Sequence, residues 1–374
     1  MKTFGAHLEE AVNDKKYKLV ILSHDSADDP NETGVLIRQK ARKLGIEVLL
    51  AEFVGTYSKK TPDGKRFIHS YEVDENGDVI LPTAKNSDVE YSKPFEIDPS
   101  DTLIMERGLG TPGTYNSGNR SWADMCRVFE YEGYTVINSI ECHNICGDKW
   151  MNNLIFKREK FNTPKTVRIN HKEGSNWALK ELDVDFPIIL KTAAGSRGIG
   201  VMWIESTKAL YGIVQLLYRE DEYIDILLQE YIKTDYDVRV IVCAGKILGA
   251  IKRPVVDGDF RSNVSQGSEP VIHELTELEA SESIRASEAV GAILSGVDFI
   301  PAKNREKDKP HFIEVNSTPG LMGIEAAFVG STVLVKPLAK KLKQEGTSIT
   351  TEILKRFFDR KLWTGKKENE KNME

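Results

Sequence analysis

Cysteine is scarce in this chain of 374 residues: Cys126, Cys142, Cys146 and Cys243 are all there are, and their scatter excludes a disulfide framework as the source of stability. Long apolar runs are missing too. The opening stretch, MKTFGAHLEEAVNDKKYKLVILS, has no signal-length apolar segment and no small-residue cleavage site, and the apolar runs elsewhere are strand-sized, so the expectation is a cytoplasmic protein without a membrane partner. No charge of one sign dominates either. The 57 acidic and 51 basic residues are well mixed, for a net charge of -6, and no basic stripe offers itself to nucleic acid. What is present is the 40% apolar content of an ordinary globular protein, in a chain long enough for two or three domains with a large core.

Apolar periodicity organises the chain. KLVILS at Lys18 to Ser23 reads as a buried strand, Glu32 to Leu44 as an amphipathic helix and Glu47 to Ala51 as a second strand, which begins a parallel α/β unit. Between Thr56 and Asp98 the pattern turns polar. RFIHSYEV, a turn at Asn76-Gly77 and VILP predict a β-hairpin inserted into this first domain. DTLIME resumes the buried-strand pattern, and the domain is expected to end near Gly147, where Asp148 caps a helix running to about Lys160. Two further segments follow, 148–225 with a glycine-rich loop and 226–365 with several strands, and a charged tail over 366–374.

The chemistry gathers in the later segments. In HFIEVNSTPGLMGIE, from His311 to Glu325, strand alternation puts Glu314 and Asn316 on one face, and Thr318-Pro319-Gly320 ends the strand. A carboxylate beside an amide oxygen is a hard-ligand pair suited to magnesium, although two polar residues at this spacing also fit a solvated face. Asp298, on the preceding strand, would supply a third oxygen. The loop of Gly195, Ser196, Arg197 and Gly198 joins two strands and can cover phosphates with backbone amides, or be a plain hairpin. Lys149 and Lys191 are candidates for phosphate contacts, and QEYI, with Glu230, Tyr231 and Ile232, for an adenine edge. Asp237 follows as a candidate for a ribose hydroxyl. Arg239, Arg253 and Arg261 are interleaved with apolar residues in a sheet-like region, and basic side chains on the sheet of the carboxylates are what phosphoryl transfer requires, although each alone also fits a surface salt bridge. Cys142, His143 and Cys146 cluster like half a zinc site, but the second ligand pair is missing.

Taken together, these motifs resemble the ATP-grasp superfamily, and within it the branch containing the enzyme that adds glutamate to ribosomal protein S6. GDK at Gly147 to Lys149, PIILKTAAGSRGIGV, LLQEYI, DVR, GDFRSN at Gly258 to Asn263, GVDFI and EVNSTPGLMGIE occur in that family's order over about residues 101–335. The resemblance implies an α/β and α+β protein: an ATP-grasp fold whose two subdomains clamp ATP, preceded by an N-terminal parallel α/β domain. By resemblance Lys149, Lys191, Glu230, Ile232, Asp237, Arg261, Ser262 and Asn263 contact nucleotide, and Asp298, Glu314 and Asn316 bind two magnesium ions, or manganese. Arg239, Arg253 and Arg261 then face phosphate or an acyl intermediate. Two departures, the insertion over 56–98 and NREKDKPH between Asp298 and Glu314, bear on the substrate rather than on the nucleotide.

The activity implied is a carboxylate-amine ligation through an acyl phosphate, with glutamate or another amino acid as amine and a peptide or protein C-terminus as acceptor. A small-molecule ligase of the glutathione-synthetase or dipeptide-ligase kind, an ATP-binding module without turnover and a kinase remain as alternatives. A homo-oligomer is compatible with all of them.

Overall fold

KLVILS forms the first strand of a parallel sheet, because an uninterrupted apolar run can be buried on both faces only where helices cover both sides. A computed structural model describes residues 17–23, 32–71, 94–107, 117–193, 200–255, 270–330 and 348–359. They fall into two compact units, one of Met1–Gly110, Tyr115–Ile140 and Gly320–Glu374, the other of Thr111–Thr114 and Glu141–Pro319.

In the first unit, β1 (Lys18–Ser23), α1 (Glu32–Lys43) and β2 (Glu47–Glu52) make the expected parallel unit. Three short strands follow, β3 (Tyr57–Lys60), β4 (Arg66–His69) and β5 (Phe95–Ile97), and then β6 (Thr102–Arg107), α2 (Ser117–Tyr131) and β7 (Thr135–Ile137). The main sheet runs β2-β1-β6-β7, all parallel. Val20, Leu22, Ile104, Val136 and Phe129 form its core.

The inserted region departs from expectation. RFIH is a strand, but it pairs backward with YSKK across the turn at Pro62-Asp63-Gly64, where Thr61 N donates to Lys65 O at 2.8 Å. A Pro-Asp-Gly turn is a strong hairpin signal, and RFIH also pairs forward with β5. Asn76, Gly77, VILP and the tail over 366–374 lie outside the described residues. Helices Met322–Gly330 and Ile349–Phe357 group with this first unit and not with the strands that precede them. The second of them packs on α1, and Phe358 at its end stacks on Tyr17 with ring centroids 5.2 Å apart.

The second unit holds two antiparallel sheets. It begins in α3 (Ile140–Gly147) and α4 (Lys149–Arg158), whose N-cap Asp148 accepts from Trp150 N at 2.8 Å as the sequence predicts. The first sheet, in order β10-β9-β11-β8, is built from β8 (Thr166–Ile169), β9 (Ile188–Thr192), β10 (Val201–Ile204) and β11 (Ile226–Glu230). Helices α5 (Ser175–Leu182) and α6 (Thr207–Glu220) bury one of its faces, with Ile188, Leu190, Ile204 and Leu228 in the core. The strand ILLQE therefore belongs to this sheet and not to the segment after 225. The break falls between β11 and β12.

The second sheet, in order β14-β13-β12-β15-β16, comprises β12 (Tyr236–Cys243), β13 (Lys246–Pro254), β14 (Val271–Ile272), β15 (Leu294–Ile300) and β16 (His311–Asn316). Ala244 and Gly245, with φ of 50° and 67°, make the tight turn expected between β12 and β13. One face of the sheet packs Val238, Val240, Val297, Phe299, Phe312 and Val315 against α4 and α7 (Glu277–Ala289). Among the described residues no helix is long and apolar enough to cross a membrane.

Helix α7 starts in a reciprocal capping box between Thr276 and Glu279. Arg305 donates to both Glu279 oxygens, at 2.8 and 2.7 Å, and so fastens the segment between β15 and β16 to this cap. Burial alone would raise the Glu279 carboxyl, but the Arg305, His273 and Thr276 donors outweigh it and hold the pKa at about 2. A carboxyl lowered in the folded state stabilises fully above its unfolded value near 4.5, and that contribution disappears as pH falls toward 2. Glu279→Gln should therefore cost roughly 3 kcal/mol at pH 6 and progressively less toward pH 2.5, read by urea unfolding of both proteins.

Candidate active site

The unburied face of the second sheet carries charge where the other carries hydrocarbon. Along β12, Val238 and Val240 enter the core while Asp237 and Arg239 take the opposite face. Cross-strand register then assembles the rest. Asp237 lies opposite Arg253, Arg239 opposite Asp298, and Asp298 opposite Glu314. Asn316, two residues along β16, shares the face, and its Nδ2 donates to Glu314 Oε1 at 3.2 Å. The three proposed ligand residues thus share one face of the sheet.

Two of them belong to larger pairings. Arg239 grips Asp298 in a fork, Nε to Oδ1 at 2.8 Å and Nη2 to Oδ2 at 2.6 Å. Arg253 grips Asp237 in the same manner, at 2.7 and 2.6 Å, and reaches Asp298 Oδ2 at 3.0 Å. Asp237, Arg253 and Asp298 are 5%, 3% and 3% exposed, so the pairing is made out of water. Burial pushes Asp298 up, but the two guanidiniums prevail and its pKa is lowered; Arg253, flanked by two carboxylates, is raised despite its burial. Gly296 makes room for Pro319 beside the fork. A Cβ there would meet Pro319 Cβ at 3.0 Å and the Arg239 Cδ at 3.6 Å.

Lys191 comes from the first sheet. On β9 it shares a face with Ile189, Val201, Trp203, Leu227 and Gln229, away from the helices. Burial lowers its pKa to about 8, with Glu314 and Asp237 favouring the cation and Lys149 opposing it. Lys191 therefore senses the charged groups of the second sheet and the start of α4. Lys149 N donates to Ala193 O at 3.3 Å, which ties α4 to the end of β9.

Glu230 and Lys165 exchange bonds, Glu230 N to Lys165 O at 2.9 Å and Lys165 N to Glu230 Oε2 at 3.0 Å, so this carboxylate fixes the strand end. Tyr231 meets Trp203 edge to face at 4.7 Å, and Ile232 is half-buried beside them. Gly195, Ser196, Arg197, Gly198, Arg261, Ser262 and Asn263 lie outside the described residues. The Cys142 and Cys146 sulfurs are 3.9 Å apart, His143 faces Ser317, and among the described residues no three His, Cys, Asp or Glu side chains gather as a metal site.

Sequence reasoning overlooked Asn152, Gly296 and Trp203. Gly296 was within reach, since a glycine two residues before a buried Asp on the same strand face signals a close approach there. Asn152 gave no signal, because its partner on β16 is 163 residues away.

Two antiparallel sheets, one with a half-buried lysine and the other with a face of paired carboxylates and guanidiniums, in a chain that also holds a parallel α/β unit, are the make-up of an ATP-grasp ligase fold. Residues 146–333 match the model of the RimK-like ATP-grasp domain. A probable alpha-L-glutamate ligase of Marinomonas sp. (strain MWYL1) is 33% identical over 203 residues, which are 54% of this chain and 65% of that protein. Among solved structures, the ATP-grasp ligase PsnB complexed with minimal precursor, Mg and ADP aligns with a TM-score of 0.55 at 15% identity, over 89% of this chain and 98% of that one. The VanG D-Ala:D-Ser ligase of Enterococcus faecalis aligns with a TM-score of 0.58 at 14% identity, over 92% and 99%. The chain belongs to the RimK-like ATP-grasp family, and with it to the ADP-forming ligases.

Arg253 holds two buried carboxylates at once, which a lysine cannot do with the same geometry. Arg253→Met should destabilise the protein by about 3–5 kcal/mol, because it strands Asp237 and Asp298 without a countercharge. Urea unfolding at pH 7 reads this. A loss below about 1 kcal/mol would mean that water reaches the pair.

Proposed function

We propose that this protein joins an amino acid, glutamate first among them, to the carboxylate of a peptide, a protein C-terminus or a small acid, with ATP as energy source. The convergence of Asp298, Glu314 and Asn316 within electrostatic reach of Lys191 carries the reading. The name of the Marinomonas relative supports glutamate as the amine, and a solved structure of PsnB with precursor peptide PsnA2 and AMPPNP supports a peptide acceptor.

The donor set fits magnesium. Glu314 and the Asn316 amide oxygen are hard ligands held side by side, Asp298 is the nearest carboxylate across the strand, and so small a set leaves positions for phosphate oxygens. Asp298 would share its oxygens with Arg239 and Arg253. A divalent ion here supplies Lewis-acid polarisation of the transferred phosphoryl group. Lys191 and Lys149 balance phosphate charge, Arg239 presents its guanidinium toward the transferred group, and Arg253, with Asp237, keeps Asp298 in place. Ile189, Leu227 and Trp203 supply an apolar wall for the base, beside Tyr231 and Ile232. The roles of Gly195 to Gly198 as a lid, and of Arg261, Ser262 and Asn263 at the nucleotide, stand on the family resemblance.

The reaction needs no enzyme nucleophile. The acceptor carboxylate attacks the γ-phosphorus and ADP leaves; the amine then attacks the acyl carbon and phosphate leaves. The residues above contribute alignment, charge compensation and exclusion of water from the acyl phosphate. ADP release, screened over amino acids crossed with peptides and small carboxylates, tests the proposal. Release that requires one amine and one acceptor supports it; release that requires neither sinks it.

One variant and one change of condition sharpen the test. Glu314→Ala should lower turnover by about 100-fold or more with little change in melting temperature, and full activity at ordinary magnesium would contradict the assignment. Lys191 is a cation below its pKa of about 8 and neutral above it, so nucleotide affinity should weaken as pH rises through 8, by up to about tenfold per unit. Calorimetry of ADP binding from pH 7 to 9.5 reads the slope, and a flat profile would remove Lys191 from the phosphate site.

A further inference from the structure

We propose that Asn152 is a positioning residue that ties the cation-bearing strand β16 to the turn carrying Lys149, and so fixes the spacing between metal ligands and phosphate cation. The inference rests on the magnesium reading above.

Asn152 is fully buried, at 0% exposure, in the first turns of α4. Its Oδ1 accepts from Val315 N at 3.0 Å. Its Nδ2 donates to Ile145 O at 3.0 Å and Cys146 O at 3.1 Å, in the last turn of α3. One side chain therefore bonds two separate backbones, and each bond answers a need. Among the described residues β16 is the last strand of its sheet, and Val315 N bonds to Asn152. The final carbonyls of α3 have no partner within their own helix.

The placement of these bonds distinguishes Asn152 from an ordinary buried amide. Val315 lies between Glu314 and Asn316, so its backbone sets where both side chains start. Lys149 is three residues before Asn152, about one helical turn, and its own N–H is tied to Ala193 at the end of β9. The short segment from Ile145 to Asn152 thus links the strand bearing Lys191, the residue Lys149 and the strand bearing Glu314. Loss of the Asn152 amide would leave Val315 N–H and two carbonyls without their partner and let β16 shift against α4. The consequence falls on the relative position of cation and phosphate, not on any contact Asn152 makes with substrate.

Asn153 supplies an internal control. It is also buried, at 4% exposure, but its Nδ2 donates to Thr163 Oγ1 at 3.3 Å, within its own neighbourhood of the chain.

The test measures Mn2+ binding in the presence of ADP by electron paramagnetic resonance, and ADP binding without metal by calorimetry, for the full chain and for Asn152→Ala and Asn153→Ala. Both variants should lose stability. Asn152→Ala should weaken Mn2+ about tenfold or more with metal-free ADP affinity within about twofold, and Asn153→Ala should leave both within about twofold. Asn152→Ser, which keeps a donor for the α3 carbonyls but is too short to span to Val315, replaces the alanine variant if that does not fold. Mn2+ affinity unchanged in the Asn152 variant, or weakened equally in both, overturns the proposal. Absence of Mn2+ binding to the unmodified protein would instead overturn the magnesium reading on which it rests.

Discussion

The register of β15 between its neighbours is the constraint on which the site depends. Asp298 lies opposite Arg239 on one side and Glu314 on the other, so one residue of one strand sets the position of the other two. A slip by one residue would carry the charged set into the valine and phenylalanine core and bring Val297 and Phe299 out. The hydrophobic face thus enforces the polar one. Packing of Val238, Val297, Phe312 and Val315 leaves Asp237, Arg239, Asp298 and Glu314 a single allowed arrangement.

Charge cancels within that arrangement in an informative way. Two aspartates and two arginines offset each other in a buried network, and each charge has fork-like or shared hydrogen bonds to compensate for lost water. Glu314, Lys191 and Lys149 add charge beside this network, and Lys191 is pushed down by its burial while Glu314 draws it up. This site draws those charges from different elements. Its electrostatics depend on how the two sheets are held, which is the task that the bonds of Lys149 N and Asn152 share.

Much of this was legible in the sequence, and the limits have physical causes. Strand alternation placed Glu314 beside Asn316, a capping residue placed the start of α4, and Gly245 marked a hairpin, because each depends on neighbours along the chain. The neighbour-strand position of Asp298 also followed, since adjacent strands tend to pair. Partner choice did not follow. ILLQE carries the same apolar run whether it joins the first sheet or the second, and RFIH can pair equally with a strand before or after it. Arg253 reads as a phosphate contact from its place among apolar residues on a sheet and from the family resemblance; its burial between two aspartates depends on register with β12 and β15, which the sequence does not display. The grouping of helices Met322–Gly330 and Ile349–Phe357 with the N-terminal sheet reflects tertiary packing, which periodicity does not encode.

Gly296 shows how little separates shape from charge in this protein. A Cβ there would come within 3.0 Å of the Pro319 Cβ while resting in ordinary contact, at 3.6 Å, with the Arg239 side chain. The motif GVD is accordingly one mechanical part: the glycine admits the proline that follows β16, and the aspartate two residues on holds the Arg239 guanidinium. A single added carbon would press on the proline ring first, so what this glycine protects is the way the chain leaves the strand of Glu314 and Asn316.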